Sequence, residues 1–122
     1  MTRLLVLLVL LAPAYAAAQT PMPPPPVGVY GCYGQYGLSL PMMFGLLDAK
    51  TYANYDGKTG RYAYDAASGL LTMTDGPLKG IKYQRTGKAS DNPHFRMLDD
   101  KGQQTAFTCP KEGTKDPHKH PW

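Results

Sequence analysis

The residues of this chain that could do chemistry are two cysteines, three histidines, three serines and a set of aspartates. No serine lies in the Gly-x-Ser-x-Gly setting that exposes a catalytic nucleophile, and Ser68 before a glycine is typical of a turn. Asp99 and Asp100 are neighbours, so on an extended chain they point to opposite sides and cannot face each other as the paired acids of a glycosidase do. We therefore predict no catalytic residue and expect a protein that is not an enzyme.

Two groups of residues have the spacing of metal ligands. One is His118-x-His120 with Asp116, and the other is Asp91-x-x-His94. Histidines at positions i and i+2 face the same way only in a strand, whereas the first pair lies in a polar tail that is broken by prolines and crowded with lysines. The sequence therefore predicts no metal site and no cofactor.

The first 18 residues have the three parts of a secretory signal peptide. Met-Thr-Arg forms a basic start, an apolar run follows, and Ala-Ala-Ala precedes Gln19. The small residues predict cleavage after Ala18 or, as the alternative, after Ala16. The apolar run is too short to span about 30 Å of hydrocarbon, so we expect no membrane span in the mature form. The predicted location is secreted or periplasmic.

Cys32 and Cys109 are the only cysteines, and both remain after cleavage of residues 1–18. An exported protein meets an oxidising compartment, in which such a pair forms a disulfide. Closing a loop of this length stabilises the folded state by up to about 4.5 kcal/mol in the chain-entropy model. We therefore expect one disulfide that joins the beginning of the folded domain to its end.

Composition divides the mature chain into three parts. Residues 19–26 form a proline-rich leader, predicted to be a polyproline II spacer that holds the domain away from other surfaces, with a ligand for a proline-binding partner as the alternative. Residues 27–110 form the predicted β-domain. Residues 111–122 form a basic polar tail, in which Trp122 docks on the domain, anchors a partner or belongs to a disordered end.

Within residues 27–110, short β-rich runs alternate with turn residues, and the apolar stripe of a helix is missing. This pattern predicts an all-β domain, a small antiparallel meander of about seven strands that closes into a barrel or a sandwich. The predicted strands cover 27–36, 42–47, 60–64, 70–74, 80–85, 94–98 and 104–109. Residues 48–56 fit a strand, a single helical turn or a loop.

Tyrosines must complete the core because the domain has few aliphatic residues. Period-2 spacing puts Tyr62 and Tyr64 on one face of a strand. The same alternation puts Ile81, Tyr83 and Arg85 on one face of another strand and Lys82 and Gln84 on its opposite face. We expect Tyr62 and Tyr64 to wall the core. The alternative is an exposed aromatic surface that stacks on sugars or other flat ligands.

The turn Asp75-Gly76-Pro77-Leu78-Lys79-Gly80 is the candidate for a binding loop. Pro77 restricts its backbone, and Leu78 is the one apolar side chain at its tip. We predict that Leu78 plugs the end of the barrel, and the alternative is that Leu78 is offered to a partner.

The net charge of +4 is mild, and it falls by one when Arg3 is removed with the signal peptide. Dedicated nucleic-acid binding usually shows a denser cationic stripe. We therefore expect no nucleic-acid partner.

The mature domain contains a series of short motifs: Gly28-Val29-Tyr30-Gly31-Cys32-Tyr33, Phe44-Gly45-Leu46-Leu47-Asp48, Gly60-Arg61-Tyr62-Ala63-Tyr64-Asp65, Thr72-Met73-Thr74-Asp75-Gly76-Pro77-Leu78-Lys79-Gly80 and Thr105-Ala106-Phe107-Thr108-Cys109-Pro110. In these motifs the chain resembles a group of small exported bacterial proteins of unassigned function. The resemblance covers essentially the whole mature domain and implies a periplasmic β-domain. It carries over no catalytic residue.

A looser likeness, in class and not in motif, is to periplasmic lysozyme inhibitors. These are also short, exported, disulfide-bearing β-barrels with a Tyr-x-Cys start, which is Tyr30-Gly31-Cys32 in this chain. Their inhibitory Ser-Gly loop has no counterpart in Ser68-Gly69, which lies in a predicted hairpin.

These observations favour a non-catalytic binding or envelope-associated protein over an enzyme. Its partner could be an envelope protein or a polysaccharide. The alternatives are a periplasmic inhibitor of a cell-wall hydrolase and a small hydrolase whose site the sequence does not reveal.

Overall fold

The structure is a computed structural model that describes residues 21–86 and 93–122. The predicted signal peptide, residues 1–18, lies outside this part of the chain. The regular structure of the described residues comprises ten strands and a short 3-10 helix, Leu40–Met42. The strands are β1 Gly28–Tyr30, β2 Tyr33–Gly34, β3 Gly37–Leu38, β4 Phe44–Leu46, β5 Thr51–Asn54, β6 Thr59–Asp65, β7 Leu70–Met73, β8 Lys82–Thr86, β9 His94–Leu98 and β10 Gln104–Pro110.

All ten strands belong to one antiparallel sheet, in the order β1-β4-β5-β6-β7-β8-β9-β10-β2-β3. From β4 to β10 each strand pairs with the next along the chain, and the sheet curls into a half-barrel. β1 also meets the segment after β10, where Tyr30 bridges Lys111 and Glu112 N donates to Val29 O over 2.7 Å. The predicted all-β antiparallel architecture is confirmed.

The expected count of about seven strands is wrong, because short elements escape a period-2 pattern. The predicted strand 27–36 is divided into β1 and β2, since the chain changes neighbours from β4 to β10 between them. β3 has only two residues. β5 lies within 48–56, so the strand interpretation of that segment is the correct one. A turn precedes β5, in which the Asp48 carboxylate accepts hydrogen bonds from Lys50 N and Thr51 N.

The interior is built largely from aromatic rings. Tyr30 stacks on Phe44 with ring centroids 5.1 Å apart, and Phe44 lies 4.7 Å from the ring of Tyr83. Phe95 makes an edge-on contact with Tyr30 at 5.5 Å. All four rings are fully buried. They supply the enclosed apolar volume that the few aliphatic residues cannot, as the sequence predicted.

Four tyrosines, which we call the interior tyrosines, are buried, and each donates its hydroxyl hydrogen to a main-chain carbonyl. The bonds run from Tyr30 to Pro26 O (2.7 Å), from Tyr52 to Asp75 O (2.6 Å), from Tyr62 to Asp48 O (2.6 Å) and from Tyr83 to Met42 O (3.3 Å). A buried hydroxyl without a partner is costly, so these bonds are what permit tyrosine in the core. Burial raises the pKa of all four, and that of Tyr62 to about 12.

Cys32 and Cys109 form the predicted disulfide, with their Cα atoms 4.0 Å apart. Both residues are fully buried. Tyr33, which follows Cys32, pairs with Thr108 of β10. The disulfide therefore ties the base of the β2–β3 hairpin to the interior.

The described part of the proline-rich leader is bound to the domain. Met22 N donates to Ala66 O over 2.8 Å, Pro23 O accepts a hydrogen bond from Arg85 Nη1, and Pro25 is buried. The expectation of a free spacer is therefore wrong. Prolines cannot donate, but their carbonyls still accept, and the domain supplies the donors.

The C-terminal tail is also docked on the domain. Trp122 Nε1 donates to Pro117 O over 3.2 Å, and the indole lies so close to Gly45 that a Cβ there would be 2.7 Å from Trp122 Cζ2. His120 Nε2 is hydrogen-bonded to Tyr55 O. Of the three alternatives for Trp122, docking is the correct one, and the bare backbone of Gly45 makes room for the indole.

Candidate functional site

The two tyrosines considered for an aromatic surface face the interior. β6 alternates between exposed and enclosed positions, and Tyr62 is 6% exposed while Tyr64 is half-buried against the core. Tyr64 OH also accepts a hydrogen bond from Arg85 Nη1 at 3.3 Å. The pair walls the core as predicted, and the alternative of an exposed aromatic surface is wrong, because the alternation directs both rings inward.

The Gly-Pro-Leu turn points its apolar residue inward. Leu78 is buried and belongs to the core, whereas Pro77 is exposed. Leu78 N donates to Tyr52 OH over 2.8 Å, and that hydroxyl donates onward to Asp75 O. Leu78 is therefore packed in the core, as the plug prediction requires, and its side chain is not offered to a partner. A role of the exposed Pro77 in binding stays a prediction.

Of the candidate metal ligands, Asp116 and His118 lie together, but the described residues do not complete a metal site around them. Within the described residues, no three histidine, cysteine, aspartate or glutamate side chains are grouped as a metal ion requires. His118 Nδ1 lies 3.3 Å from Asp116 Oδ1, but His120 is engaged with Tyr55 O. A hydrogen bond from His118 N holds the pKa of the Asp116 carboxyl below its usual range. Asp91 of the second group lies outside the described residues.

Exposed large apolar side chains are concentrated in and directly after the β2–β3 hairpin. Five large apolar side chains of the described residues are exposed, and all except Val27 lie between positions 33 and 40. Tyr36, in the turn between β2 and β3, is 97% exposed, and Leu38 is 45% exposed. We call the following residues the hairpin surface: Tyr33, Tyr36, Leu38, Leu40 and the adjoining Phe107.

β3 is the last strand in the sheet order, so its outer edge is open among the residues that the structure describes. On its inner side Tyr33 pairs with Leu38, and Ser39 N donates to Cys32 O over 2.8 Å. Neighbouring residues of a strand direct their backbone groups to opposite sides, so the N–H and C=O of Leu38 face the open edge. The hairpin thus offers a main-chain donor and acceptor beside exposed apolar side chains.

A groove with a volume of about 460 Å³ adjoins the hairpin and is lined by residues 34–41 and Phe107. The Phe107 ring lies against Gly34, where a Cβ would be 2.7 Å from Phe107 Cε1. The glycine therefore allows the ring on β10 to approach the hairpin backbone and to form one wall of the groove.

The hairpin surface carries no charge of its own. Residues 21–47 contain no Asp, Glu, Lys or Arg, although these types make up 18% of the whole chain. The Tyr33 hydroxyl donates a hydrogen bond to Glu112, and this bond raises the pKa of Tyr33. Soluble proteins usually protect open sheet edges with charges, prolines or bulges. β3 contains neither a charged residue nor a proline.

A second and larger groove, of about 700 Å³, lies elsewhere on the domain. Its lining combines apolar side chains with charges of both signs, among them Met42, Ile81, Met97, Lys79, Lys82, Asp99 and Asp100. The Asp99 carboxylate accepts hydrogen bonds from Lys101 N and Gln103 N at 2.9 Å each. That carboxylate is therefore committed to its own turn, and the hairpin surface is the better candidate site.

Comparison of the chain with protein-family models, with curated proteins and with solved structures finds no match. The candidate site therefore has to be interpreted from its own geometry. Among the described residues, no helix is long and apolar enough to cross a membrane.

The hairpin surface was not among the predicted site residues. The signal that could have revealed it is the contrast between the uncharged residues 21–47 and residues 48–122, in which charged residues recur throughout. Tyrosine and leucine are common in strands, so the run by itself predicts buried strands of the core. The position of β2 and β3 at the end of the sheet is what leaves these side chains exposed.

Proposed function

We propose that this protein is an exported, non-catalytic binding protein that captures an extended segment of another protein on its β2–β3 hairpin. The observation that carries the proposal is the coincidence of the open β3 edge with an uncharged, exposed apolar surface. The predicted signal peptide and the buried disulfide support an exported location.

Strand addition accounts for both features of the hairpin. An added strand would hydrogen-bond to the N–H and C=O of Leu38, and its alternate side chains would enter the groove beside Phe107. Tyr36 would then be an aromatic anchor, and tyrosine is enriched among the residues that dominate binding energy at interfaces. A protein is favoured over a polysaccharide because Leu38 and Leu40 offer no polar group to sugar hydroxyls.

Site-directed photocrosslinking in the native host tests the proposal. A photoreactive residue in place of Tyr36 should crosslink to one discrete protein, whereas the same residue in place of Lys101, exposed in the β9–β10 turn, should not. An excess of unlabelled mature protein should suppress the adduct. The same excess carrying Leu38→Asp and Leu40→Asp should not suppress it.

A pair of substitutions at position 38 isolates the role of the open edge. Leu38→Pro removes the outward N–H without adding charge, and an edge strand tolerates proline at such a position. We expect it to weaken binding of the crosslinked partner at least about tenfold more than Leu38→Ala, which keeps the N–H. An adduct made only of a second copy of this chain, or equal effects of the two substitutions, would contradict strand addition by another protein.

The 97% exposure of Tyr36 at a hairpin turn also favours a second candidate, inhibition of a cell-wall hydrolase by insertion of the hairpin into its cleft. The purified mature protein should then inhibit a lysozyme in a cell-wall lysis assay. Tyr36→Ala should raise the inhibitory concentration at least about tenfold without changing the melting temperature. Lysis that proceeds at the same rate with excess wild-type protein would exclude this candidate for the enzyme tested.

A further inference from the structure

Two carbonyls of residues 21–26 are held by donors of the domain. Pro23 O accepts a hydrogen bond from Arg85 Nη1 at 2.5 Å, and Pro26 O accepts one from the Tyr30 hydroxyl at 2.7 Å. A polyproline II helix has three residues per turn, so carbonyls three residues apart lie on the same face. The two carbonyls that the domain holds therefore have the spacing of one face of such a helix.

The side chains of the same segment follow the same period. Met22 is half-buried and Pro25 is buried, whereas the other four residues of 21–26 are exposed. The Met22 side chain lies against Gly69, where a Cβ would be 2.7 Å from Met22 Sδ, and Met22 N donates to Ala66 O. Buried positions with a spacing of three are the mode in which proline-rich ligands dock into grooves of other proteins.

Arg85 is the one charged side chain that the described residues bury, at 6% exposure. The hydrogen-bond acceptors of its Nη1 are neutral, namely Pro23 O and Tyr64 OH. A buried charge is costly, and apolar side chains of similar volume commonly replace one without loss of stability, so packing alone does not explain an arginine here. An arginine at this position is explained by a role in binding a segment whose main-chain carbonyls accept hydrogen bonds.

We infer that Tyr30, Tyr64, Gly69 and Arg85 form a binding groove for proline-rich segments in the polyproline II conformation, which residues 21–26 occupy as a tethered ligand. A proline-rich segment of another protein would make the same contacts once the tethered segment leaves. A short tether gives an effective concentration of the order of millimolar, so release of the segment controls access. The groove shares no residue with the hairpin surface, and the two sites are independent.

Peptide binding to the full mature chain tests the groove. The probe is a fluorescently labelled peptide with the sequence of residues 21–27, and binding is followed by anisotropy. Pro25→Gly removes a buried ring and loosens the tethered segment, whereas Pro24→Gly loosens the backbone equally at an exposed position. We expect the probe to bind Pro25→Gly at least about tenfold more tightly than it binds either Pro24→Gly or the wild-type chain.

Two arginine substitutions, made in the Pro25→Gly chain, test the contact that defines the groove. Arg85→Gln should weaken probe binding at least about tenfold, and Arg61→Gln, at an exposed position of β6, should leave it unchanged. Thermal melting confirms that each variant is folded. If Arg85→Gln does not fold, Tyr30→Phe replaces it, because it removes only the hydroxyl that donates to Pro26 O.

A second peptide tests the conformation of the ligand. It carries alanine at the four positions that correspond to 23–26, so it keeps the carbonyls but is not preorganised as polyproline II. We expect it to bind at least about tenfold more weakly than the probe. Equal binding of the two peptides, equal affinity of Pro25→Gly and Pro24→Gly, or binding that survives both Arg85→Gln and Tyr30→Phe would overturn the inference.

Discussion

The interior tyrosines and the tyrosines of the hairpin differ in what their hydroxyls meet. Each interior tyrosine donates to a main-chain carbonyl, which for Tyr52, Tyr62 and Tyr83 is distant in the chain, and its ring is enclosed. On the hairpin, Tyr33 donates to the side chain of Glu112, and Tyr36 is 97% exposed. In this fold, tyrosine is fully enclosed where a main-chain carbonyl accepts the hydrogen bond of its hydroxyl.

The two regions also differ in how their surroundings are held. Tyr52, Tyr62 and Tyr83 lie on strands that are paired on both sides, and Tyr30 lies on β1, which pairs with β4 and is bridged to Lys111. β3, by contrast, has one open edge. Substitutions in the interior should therefore change stability, and those on the hairpin should change binding.

Loss of the disulfide should have the largest effect on stability, because the disulfide joins the base of the hairpin to the interior. Replacing both Cys32 and Cys109 by alanine should lower the free energy of unfolding by up to about 4.5 kcal/mol, measured by urea unfolding. Reduced wild-type protein should lose a comparable amount. A loss below about 1 kcal/mol in both would show that the hairpin and the interior are stable without this link.

Removing an interior ring should cost more than removing a hairpin ring. Tyr62→Ala should lower the free energy of unfolding by about 3 to 4 kcal/mol, because a fully packed aromatic side chain is lost. Tyr64→Ala should cost less, since Tyr64 is half-buried. Tyr36→Ala should change it by no more than about 0.5 kcal/mol. If Tyr62→Ala and Tyr36→Ala lowered the free energy of unfolding by similar amounts, interior and hairpin tyrosines would not differ in their contribution to stability.

Two leucines allow the same comparison with a charge. Leu78→Asp should lower the free energy of unfolding by about 2 to 3 kcal/mol, because it places a carboxylate at a buried position. Leu40→Asp, on the hairpin surface, should leave stability almost unchanged and reduce partner binding. Thermal melting checks both variants. An unchanged melting temperature for Leu78→Asp would mean that Leu78 is not a plug.

Removing a single hydroxyl sharpens the comparison further. Tyr52 OH accepts from Leu78 N and donates to Asp75 O, so Tyr52→Phe leaves a buried N–H and a carbonyl without their partner. We expect a loss of about 1 to 2 kcal/mol in urea unfolding. Tyr36→Phe is the matched control and should have no effect. Equal stability of the two variants would show that the hydroxyl bonds of the interior tyrosines are not important for stability.

Acid pH should have the smallest effect on stability. It acts on the turn at Asp48, whose main-chain carbonyl accepts the hydrogen bond of the Tyr62 hydroxyl. The Asp48 carboxylate accepts from Lys50 N, which lowers the pKa of Asp48, and Asp48 O accepts the Tyr62 hydroxyl. Because the folded pKa lies below the unfolded value of about 3.9, the stabilisation is present above that pH and is lost as the pH falls through the folded pKa. Wild type should therefore melt slightly above Asp48→Asn at pH 7, and the difference should shrink below about pH 4. A difference that does not change with pH would contradict this.

The features that the sequence determined by itself are local. The predicted strand 94–98 has the same bounds as β9, and the alternation in β6 and β8 directs Tyr62, Tyr83 and Arg85 inward. Period-2 side-chain geometry needs no knowledge of the partner strand. The disulfide could also be predicted, because the chain has only two cysteines.

Three features could not be predicted from local sequence: which strand lies at the end of the sheet, which donors the proline carbonyls meet and which glycine makes room for Trp122. Each depends on residues far apart in the chain: Pro23 with Arg85, Gly45 with Trp122, and β2 with β10. The run 21–47 is uniformly uncharged, yet Tyr30 is enclosed and Tyr36 is exposed. Burial is set by what packs from elsewhere in the chain, and a local pattern does not contain that information.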